Sequence, residues 1–412
     1  MGNGGKYKAA TLEDNFMNKN ELINSLKDRG LKPNTQNSLC TSGRLIRCID
    51  GETLIVAVGD NENKNDQLHT VVDAVHWHIQ TKGTKGKLRV ILGKRENKNE
   101  MDDEMAELLH VSATMIRNLV IPLKVQLEVN FFPCELEAAF DENTYKTNDR
   151  NWAQLINKRE QKLPELAVKL TELVRDESFR WYRNVTGGYL SGRVDGLQVC
   201  TIEGNKGNLD VGKPGKNGDG DARKIFLKVL QKFPTITPGD FDQKNLPEIA
   251  KIIKKLAELR KNKELSKLKR EHLFESRILR NKIILKVDEE KLETIRSAIP
   301  FQFPTLWHSK GNARFLDALM CLGNVPWAVE LKVRPQSAGE YYRHGITQVV
   351  LYREFIRRAK ELHPWFKCKK LDARRCRAAL AFPKMLSRQK KILQYHKDVA
   401  KAFGVKVIQV DF

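Results

Sequence analysis

Apolar residues in the first third of the chain follow strand and helix periods in turn. Two β-type runs, Leu45–Ile49 and Glu52–Val58, flank Asp50-Gly51, a pair typical of hairpin turns in which both turn positions take positive φ. Further along, we predict a helix over His69–Gln80, a strand over Lys87–Leu92, a helix over Asp102–Leu119 and a strand over Lys124–Phe132. The alternation indicates a small α/β domain.

The middle of the chain is more polar and its pattern is more helical. A helix predicted over Asp149–Arg175 is broken or restarted at Pro164, and Asn245–Arg280 is a second helical stretch dense in Lys and Arg. Between them lie a strand or hairpin over Ser191–Ile202 and a glycine-rich loop over Glu203–Asp221. The basic helix is either a solvated face or a surface for phosphates.

The last third again alternates strands and helices. A β-type run at Ile283–Val287 and a helix over Glu289–Ala298 precede two predicted strands, Phe315–Leu322 and Pro326–Val333, joined by a turn. After them we predict a helix over Gly339–Arg358, a strand over Arg377–Phe382, a helix over Leu386–Phe403 and a strand over Val405–Val410.

These patterns predict a multi-domain α/β protein of mixed α+β character, with a mixed sheet flanked by helices at the C-terminal end. We expect four regions: a polar tail over residues 1–43, an α/β domain over 44–148, a helical and glycine-loop region over 149–280, and a C-terminal domain over 281–412.

Charge and cysteine content narrow the class of protein. The 73 Lys and Arg residues outnumber the 51 Asp and Glu residues, giving a net charge of +22. Such a field attracts polyanions, so we expect a nucleic-acid partner, although a solvated basic surface is the alternative. The seven cysteines form no CxxC pair, which argues against a disulfide framework or zinc knuckle. No apolar run is long enough to span a membrane, and we expect a cytoplasmic protein.

Two acids and a lysine stand on the predicted C-terminal hairpin. An antiparallel pair of this length sets Asp317 beside Glu330, and Lys332 shares a strand face with Glu330. Two clustered carboxylates are costly unless a cation lies between them, and hard oxygen ligands select Mg²⁺ or Mn²⁺. We therefore expect Asp317 and Glu330 to bind a metal that activates water, with Lys332 supporting phosphodiester hydrolysis.

The order of these residues resembles the PD-(D/E)xK nuclease superfamily, in which a hairpin supplies an acid and then a (D/E)xK triplet. Here the triplet is Glu330-Leu331-Lys332, while leucine rather than proline precedes Asp317. Gln348 and Tyr352 on the next predicted helix are similar to the QxxxY motif of the RecB-like branch. The resemblance covers about residues 283–412, and it implies a restriction-endonuclease-like core with all five residues at the catalytic site. Basic and polar residues near this core are expected to contact nucleic acid: Arg343, His344, Arg374, Arg375, Arg377 and Lys390.

The function expected from the resemblance is a Mg²⁺- or Mn²⁺-dependent endodeoxyribonuclease, by analogy in antiphage defence or restriction. One alternative is a nucleic-acid-binding protein whose nuclease fold no longer cuts. Another is a nuclease switched by a small molecule at the N-terminal domain. RNA as substrate and a homo-oligomeric state both stay open. Asp195, Glu203 and Lys206 superficially repeat the order acid, acid, lysine, but with the wrong spacing for a second site.

Overall fold

The computed structural model shows a multi-domain α/β protein. It describes residues 19–34, 45–58, 72, 74–81, 86–93, 123, 125–132, 136–137, 156, 161–183, 189–210, 239–261, 270–295, 303–306, 313–333, 338–384 and 390–412. The helix predicted over Asp102–Leu119 lies outside these ranges. The chain divides into two compact units, Met1–Glu142 and Asn143–Phe412, and each is described by itself. Within the described ranges, no helix is both long and apolar enough to cross a lipid bilayer.

The first unit is built on a five-stranded sheet whose strands lie in chain order. The sheet follows helix α1 (Lys19–Asp28) and consists of β1 (Leu45–Asp50), β2 (Thr53–Val58), β3 (Lys87–Gly93), β4 (Gln126–Phe132) and β5 (Leu136–Glu137). β1 and β2 are antiparallel, β2, β3 and β4 are parallel, and β5 returns antiparallel to β4. Residues 74–81 are helical and lie between β2 and β3, as the sequence predicts. Leu26 of α1 packs with apolar residues of the sheet, including Ile46 and Ile55.

The predicted first hairpin is confirmed, with its turn one residue later than expected. Asp50 pairs with Thr53, so the turn residues are Gly51 and Glu52. Gly51 has a φ of 55°, the conformation that glycine adopts without a steric cost.

The second unit begins with an antiparallel meander covered by two helices. The helices are α2 (Glu165–Val174) and α3 (Leu246–Lys261), and the strands are β6 (Phe179–Arg183), β7 (Leu190–Val194), β8 (Leu197–Glu203), β9 (Lys206–Leu209) and β10 (Gly239–Phe241). Leu166, Leu170 and Val174 lie on one face of α2 and are buried in the same apolar cluster as Ile253 and Leu256 of α3. The region predicted to be helical with a glycine loop is therefore organised around a sheet, and β9 occupies the beginning of that loop.

The C-terminal part of this unit is a mixed sheet with strands in the order β13-β16-β17-β18-β19. Its elements are α4 (Arg270–Leu279), β11 (Lys286–Val287), β12 (Glu290–Lys291), β13 (Glu293–Thr294), β14 (Phe303–Leu306), β15 (Ala313–Leu316), β16 (Ala318–Leu322), β17 (Val325–Leu331), α5 (Ala338–Arg358), α6 (His363–Cys368), β18 (Arg377–Pro383), α7 (Lys390–Ala402) and β19 (Val405–Val410), with short 3₁₀ turns at Lys360–Leu362 and Ala373–Arg375. β16 and β17 form an antiparallel hairpin, and β17, β18 and β19 are parallel.

The helix predicted over Glu289–Ala298 is wrong where the structure describes it. Asp288 and Glu289 have φ values of 50° and 67° and form the turn between β11 and β12, and β13 follows at once. Two successive positive φ values cannot be part of a right-handed helix. The remaining strands and helices of this part match their predicted positions to within a few residues.

A buried carboxylate fixes α5 against the end of α7. Glu354 is 3% exposed and its Oε1 accepts hydrogen bonds from Arg353 (2.8 Å) and Arg357 (3.1 Å). Arg353 also donates to the carbonyl of Phe403, 2.9 Å away, at the end of α7. The ion pair therefore connects two helices through a buried arginine.

We expect Glu354→Ala to lower the free energy of unfolding by about 3–5 kcal/mol, because it leaves a buried arginine without its counter-charge. Urea denaturation of the full chain measures this. Glu258→Ala is the matched control, since Glu258 is an exposed helical glutamate paired with Lys255 and its loss should cost less than about 1 kcal/mol. Equal effects of the two changes would contradict the assignment.

Candidate active site

The candidate site lies at the C-terminal end of β17, the central strand of the mixed sheet. Every residue of β17 is buried, including Glu330 at 2% exposure, and Lys332 just beyond it is 7% exposed. Val329, Leu331 and Val333 belong to the apolar cluster on one face. Glu330 and Lys332 therefore share the other face, as predicted for residues two positions apart in a strand. The N–H of Lys332 donates to the carbonyl of Ala381 (3.0 Å), which fixes its backbone against β18.

Asp317 occupies the break where the chain passes from one sheet to another. β15 ends at Leu316 and pairs with β14, whereas β16 begins at Ala318 and pairs with β17. Asp317 is one residue beyond the pair Ala318↔Val329, so it stands next to Glu330 across the hairpin. Its Oδ2 accepts a hydrogen bond from the N–H of Leu331, 2.9 Å away. The structure thus brings Asp317, Glu330 and Lys332 together.

One lysine offsets part of the negative charge in this site. The Nζ of Lys332 lies 2.7 Å from Oε1 of Glu330 and 3.4 Å from Oε1 of Glu271. Burial alone would lower the pKa of Lys332, but the carboxylates of Glu330, Asp317 and Glu271 outweigh it and raise the pKa above its usual range. Lys332 is therefore charged throughout the physiological range.

The pKa of Asp317 is raised well above its usual range. Burial is the largest cause and the neighbouring Glu330 the next, with a further contribution from Glu275, while Lys332 and the Leu331 N–H act in the opposite direction. Burial and the neighbouring acids therefore outweigh the effect of Lys332 on the pKa of Asp317. Without a further cation, Asp317 retains a proton to a higher pH than an ordinary aspartate.

Two acids of α4 belong to this site and were not predicted. Glu271 contacts Lys332, and Glu275, 4% exposed, interacts electrostatically with Asp317. They are one helical turn apart and therefore share a face of α4. The sequence signal was available in that i, i+4 spacing, but charged residues are frequent throughout the predicted helical stretch Asn245–Arg280. Because both residues are far from the hairpin in the sequence, their position beside Lys332 and Asp317 was not predicted.

The helix with the predicted Gln348 and Tyr352 does lie beside the site, through a glycine. A Cβ added to Gly345 of α5 would lie 3.2 Å from Cγ of Lys332 and 2.5 Å from Cδ1 of Leu380. Tyr352 is buried, with 1% of its surface exposed. Gln348 is partly exposed one turn from Gly345. Gly345 was not predicted; the absence of a side chain lets α5 approach the stem of Lys332.

Several basic residues expected around the site lie elsewhere or outside the described side chains. Arg377 pairs with Trp327 in the β17–β18 register, and Arg375 donates to Asn324 in the hairpin turn. Since a strand rises about 3.3 Å per residue, these positions are roughly 10–20 Å from Glu330. Arg374 is exposed on the same 3₁₀ turn as Arg375. The side chains of Arg343, His344 and Lys390 are outside the described part.

The second acid, acid, lysine set is not assembled as a site. Asp195 pairs with Arg280 in a buried ion pair, and Arg260 donates to its carbonyl at 3.3 Å. Glu203 and Lys206 face each other across the β8–β9 turn. Asp195 therefore stabilises the packing of α4 on the meander, where Gly196 lies directly against the carbonyl of His272.

The donor set fits a divalent cation with few protein ligands. Among the described residues, no group of three or more His, Cys, Asp or Glu side chains is arranged to hold a metal ion. Asp317 and Glu330 nevertheless present two carboxylates that stand next to each other across the hairpin. Mg²⁺ characteristically binds one or two carboxylates and retains water or phosphate oxygens at its other positions.

Comparisons of this chain with protein-family models, curated proteins and solved structures give no match. The functional interpretation therefore depends on the geometry of the site.

We expect Lys332→Met to destabilise the fold by about 3–5 kcal/mol at neutral pH, because it leaves buried carboxylates without their lysine. The loss should shrink as pH falls. A raised folded-state pKa means that Asp317 binds its proton more tightly in the native state, so acid stabilises the variant. Thermal or urea unfolding across a pH series measures both effects.

Lys406→Met is the matched control, because Lys406 is exposed and pairs with Asp288 on the surface. Its effect should be small and almost independent of pH. A pH-independent loss for Lys332→Met would contradict the assigned charge balance.

Proposed function

We propose that this protein is a Mg²⁺- or Mn²⁺-dependent nuclease that hydrolyses phosphodiester bonds of DNA. The observation that carries the proposal is the buried set of Asp317, Glu330 and Lys332 at the end of the β16–β17 hairpin. The topology around it supports the same conclusion. An antiparallel hairpin, a helix and two further parallel strands are what the resemblance to the PD-(D/E)xK superfamily implies.

Asp317 and Glu330 would hold the cation through their carboxylate oxygens. When bound, such an ion supplies Lewis acidity toward the phosphate and lowers the pKa of a coordinated water. The protein contributes the orientation of the two acids: the Leu331 N–H fixes Asp317, and β17 fixes Glu330 in the centre of the sheet.

Lys332 contributes a positive charge whose position is fixed. Its Nζ is held by Glu330 and Glu271, and its stem packs below Gly345. A charge that is already oriented stabilises the extra negative charge of a phosphoryl transition state without reorganising. Glu271 is thus a positioning residue for the lysine.

Charge of the second unit supports a polyanionic substrate. Residues 143–412 contain 55 Lys and Arg against 30 Asp and Glu. Phosphate contacts dominate the affinity of proteins for nucleic acids, and a basic surface of this size favours them.

We expect Glu330→Gln and Lys332→Ala each to reduce Mg²⁺- or Mn²⁺-dependent cleavage by at least about a hundredfold, the typical loss when a group that stabilises transition-state charge is removed. The assay follows cleavage of supercoiled plasmid, linear duplex, single-stranded DNA and RNA by purified protein. Lys406→Ala should cleave as fast as the unmodified chain.

Undiminished cleavage by Lys332→Ala would contradict the proposed centre. Tight DNA binding without cleavage under any metal condition would favour the alternative of an inactive nucleic-acid-binding protein. Preferential cleavage of RNA would change the substrate, because a metal centre of this kind does not distinguish the sugar.

A further inference from the structure

The sheet of the first unit repeats the strand order and directions of the C-terminal sheet. In the first unit, the hairpin β1–β2 is antiparallel, and β3 and β4 continue parallel to β2. In the second unit, the hairpin β16–β17 is antiparallel, and β18 and β19 continue parallel to β17. Four strands thus occur in the same spatial order, chain order and direction.

Elements around the four strands repeat as well. A ten-residue helix precedes each hairpin, α1 in one unit and α4 in the other. The outer edge of each hairpin carries an antiparallel contact from the intervening chain: Asn34 with Arg47, and β13 with β16. A helix follows the second hairpin strand in both units, at residues 74–81 and at α5. Among the described residues the copies differ at β5, which extends the first sheet beyond β4, and at the strand pairs β11–β12 and β14–β15, which occur in the second unit alone.

The hairpin register identifies the positions that correspond to the catalytic acids. The pairs that close the turns are Asp50↔Thr53 and Leu322↔Val325. Five residues away from each turn, the second unit has Asp317 and Glu330, and the first unit has the pair Leu45↔Val58. Two alkyl side chains cannot ligate a cation. Within the described strand β2 (Thr-Leu-Ile-Val-Ala-Val), no residue is acidic.

The net charge also differs between the two units. Residues 1–142 contain 18 Lys and Arg against 21 Asp and Glu, a net charge of −3, whereas residues 143–412 carry +25. The electrostatic attraction for nucleic acid therefore resides in the second unit.

We infer that the N-terminal unit is a non-catalytic copy of the C-terminal core, and that the metal centre of the C-terminal copy has no counterpart in the part of the first unit that the structure describes. The inference rests on the proposed function for its chemistry and on the repeated topology for the copy.

Metal stoichiometry tests the inference on the full-length chain. Isothermal titration with Mn²⁺ should give one site per chain, and Asp317→Ala should abolish it. Asp317→Asn, which preserves the side-chain volume, repeats the measurement if the alanine variant folds poorly. Leu45→Ala, the matched change in the first copy, should retain the full stoichiometry.

Each outcome has a distinct meaning. Two sites in the unmodified chain, with one left in Asp317→Ala, would overturn the inference and leave the proposed nuclease intact. Absence of any Mn²⁺ site would overturn the metal centre of the proposed function, and with it the inference.

A second measurement addresses the division of labour between the copies. Photochemical cross-linking of the full-length chain to a DNA duplex with a photoreactive base should yield peptides from residues 143–412. Cross-links concentrated in residues 1–142 would contradict the assignment of the first unit as the copy that does not engage the substrate.

Discussion

Burial of like charges is the constraint on which the C-terminal site depends. Glu330 lies in a strand whose residues are all buried, and Asp317 stands across the hairpin from it. In a low-dielectric interior this arrangement is stable only with compensating positive charge. Lys332 compensates in part, and the raised pKa of Asp317 shows what remains uncompensated. Burial and the neighbouring acids therefore favour the protonated form of Asp317.

Helix α4 connects this site to the meander that precedes it. Its acidic face presents Glu271 to Lys332, while the residues just after the helix pair with the meander: Arg280 with Asp195, and Lys282 with Glu177. Glu275 lies between the two and acts on both sides. It raises the pKa of Asp317, and with burial as the larger cause it raises that of Tyr182 in β6 to about 12. Because α4 contacts both the site and the meander, a displacement of the meander would change the charge around Asp317 and Glu330.

The sequence predicted elements well where a regular period coincided with a clear boundary signal. The hairpins at Gly51 and Gly323, helix α5 and the final strands were predictable because their apolar positions and turn residues agree. Short strands were not predicted, because β12 and β13 have two residues each and two residues do not define a hydrophobic period. The proximity of Asp317, Glu330 and Lys332 was predictable from the hairpin and the strand period, whereas the places of Glu271 and Gly345 depend on tertiary packing between segments far apart in the chain. The predicted nucleic-acid contacts at Arg374, Arg375 and Arg377 stay predictions. These arginines lie at the beginning of β18, and the sequence does not tell at which end of that strand the site lies.

The two copies of the core differ in the stability cost of their hairpins. In the C-terminal copy, Glu330 occupies the central strand at 2% exposure beside Asp317, and Lys332 supplies the positive charge that offsets these acids. In the N-terminal copy, Leu45 and Val58 stand at the corresponding positions, so the strand pair needs no counter-charge and gains from β-branched and apolar residues. Active sites commonly retain groups that destabilise the fold, and a copy without the reaction is free of that requirement. Both units thus share the strand topology, whereas the buried charged residues occur in the C-terminal copy, where the proposed function requires them.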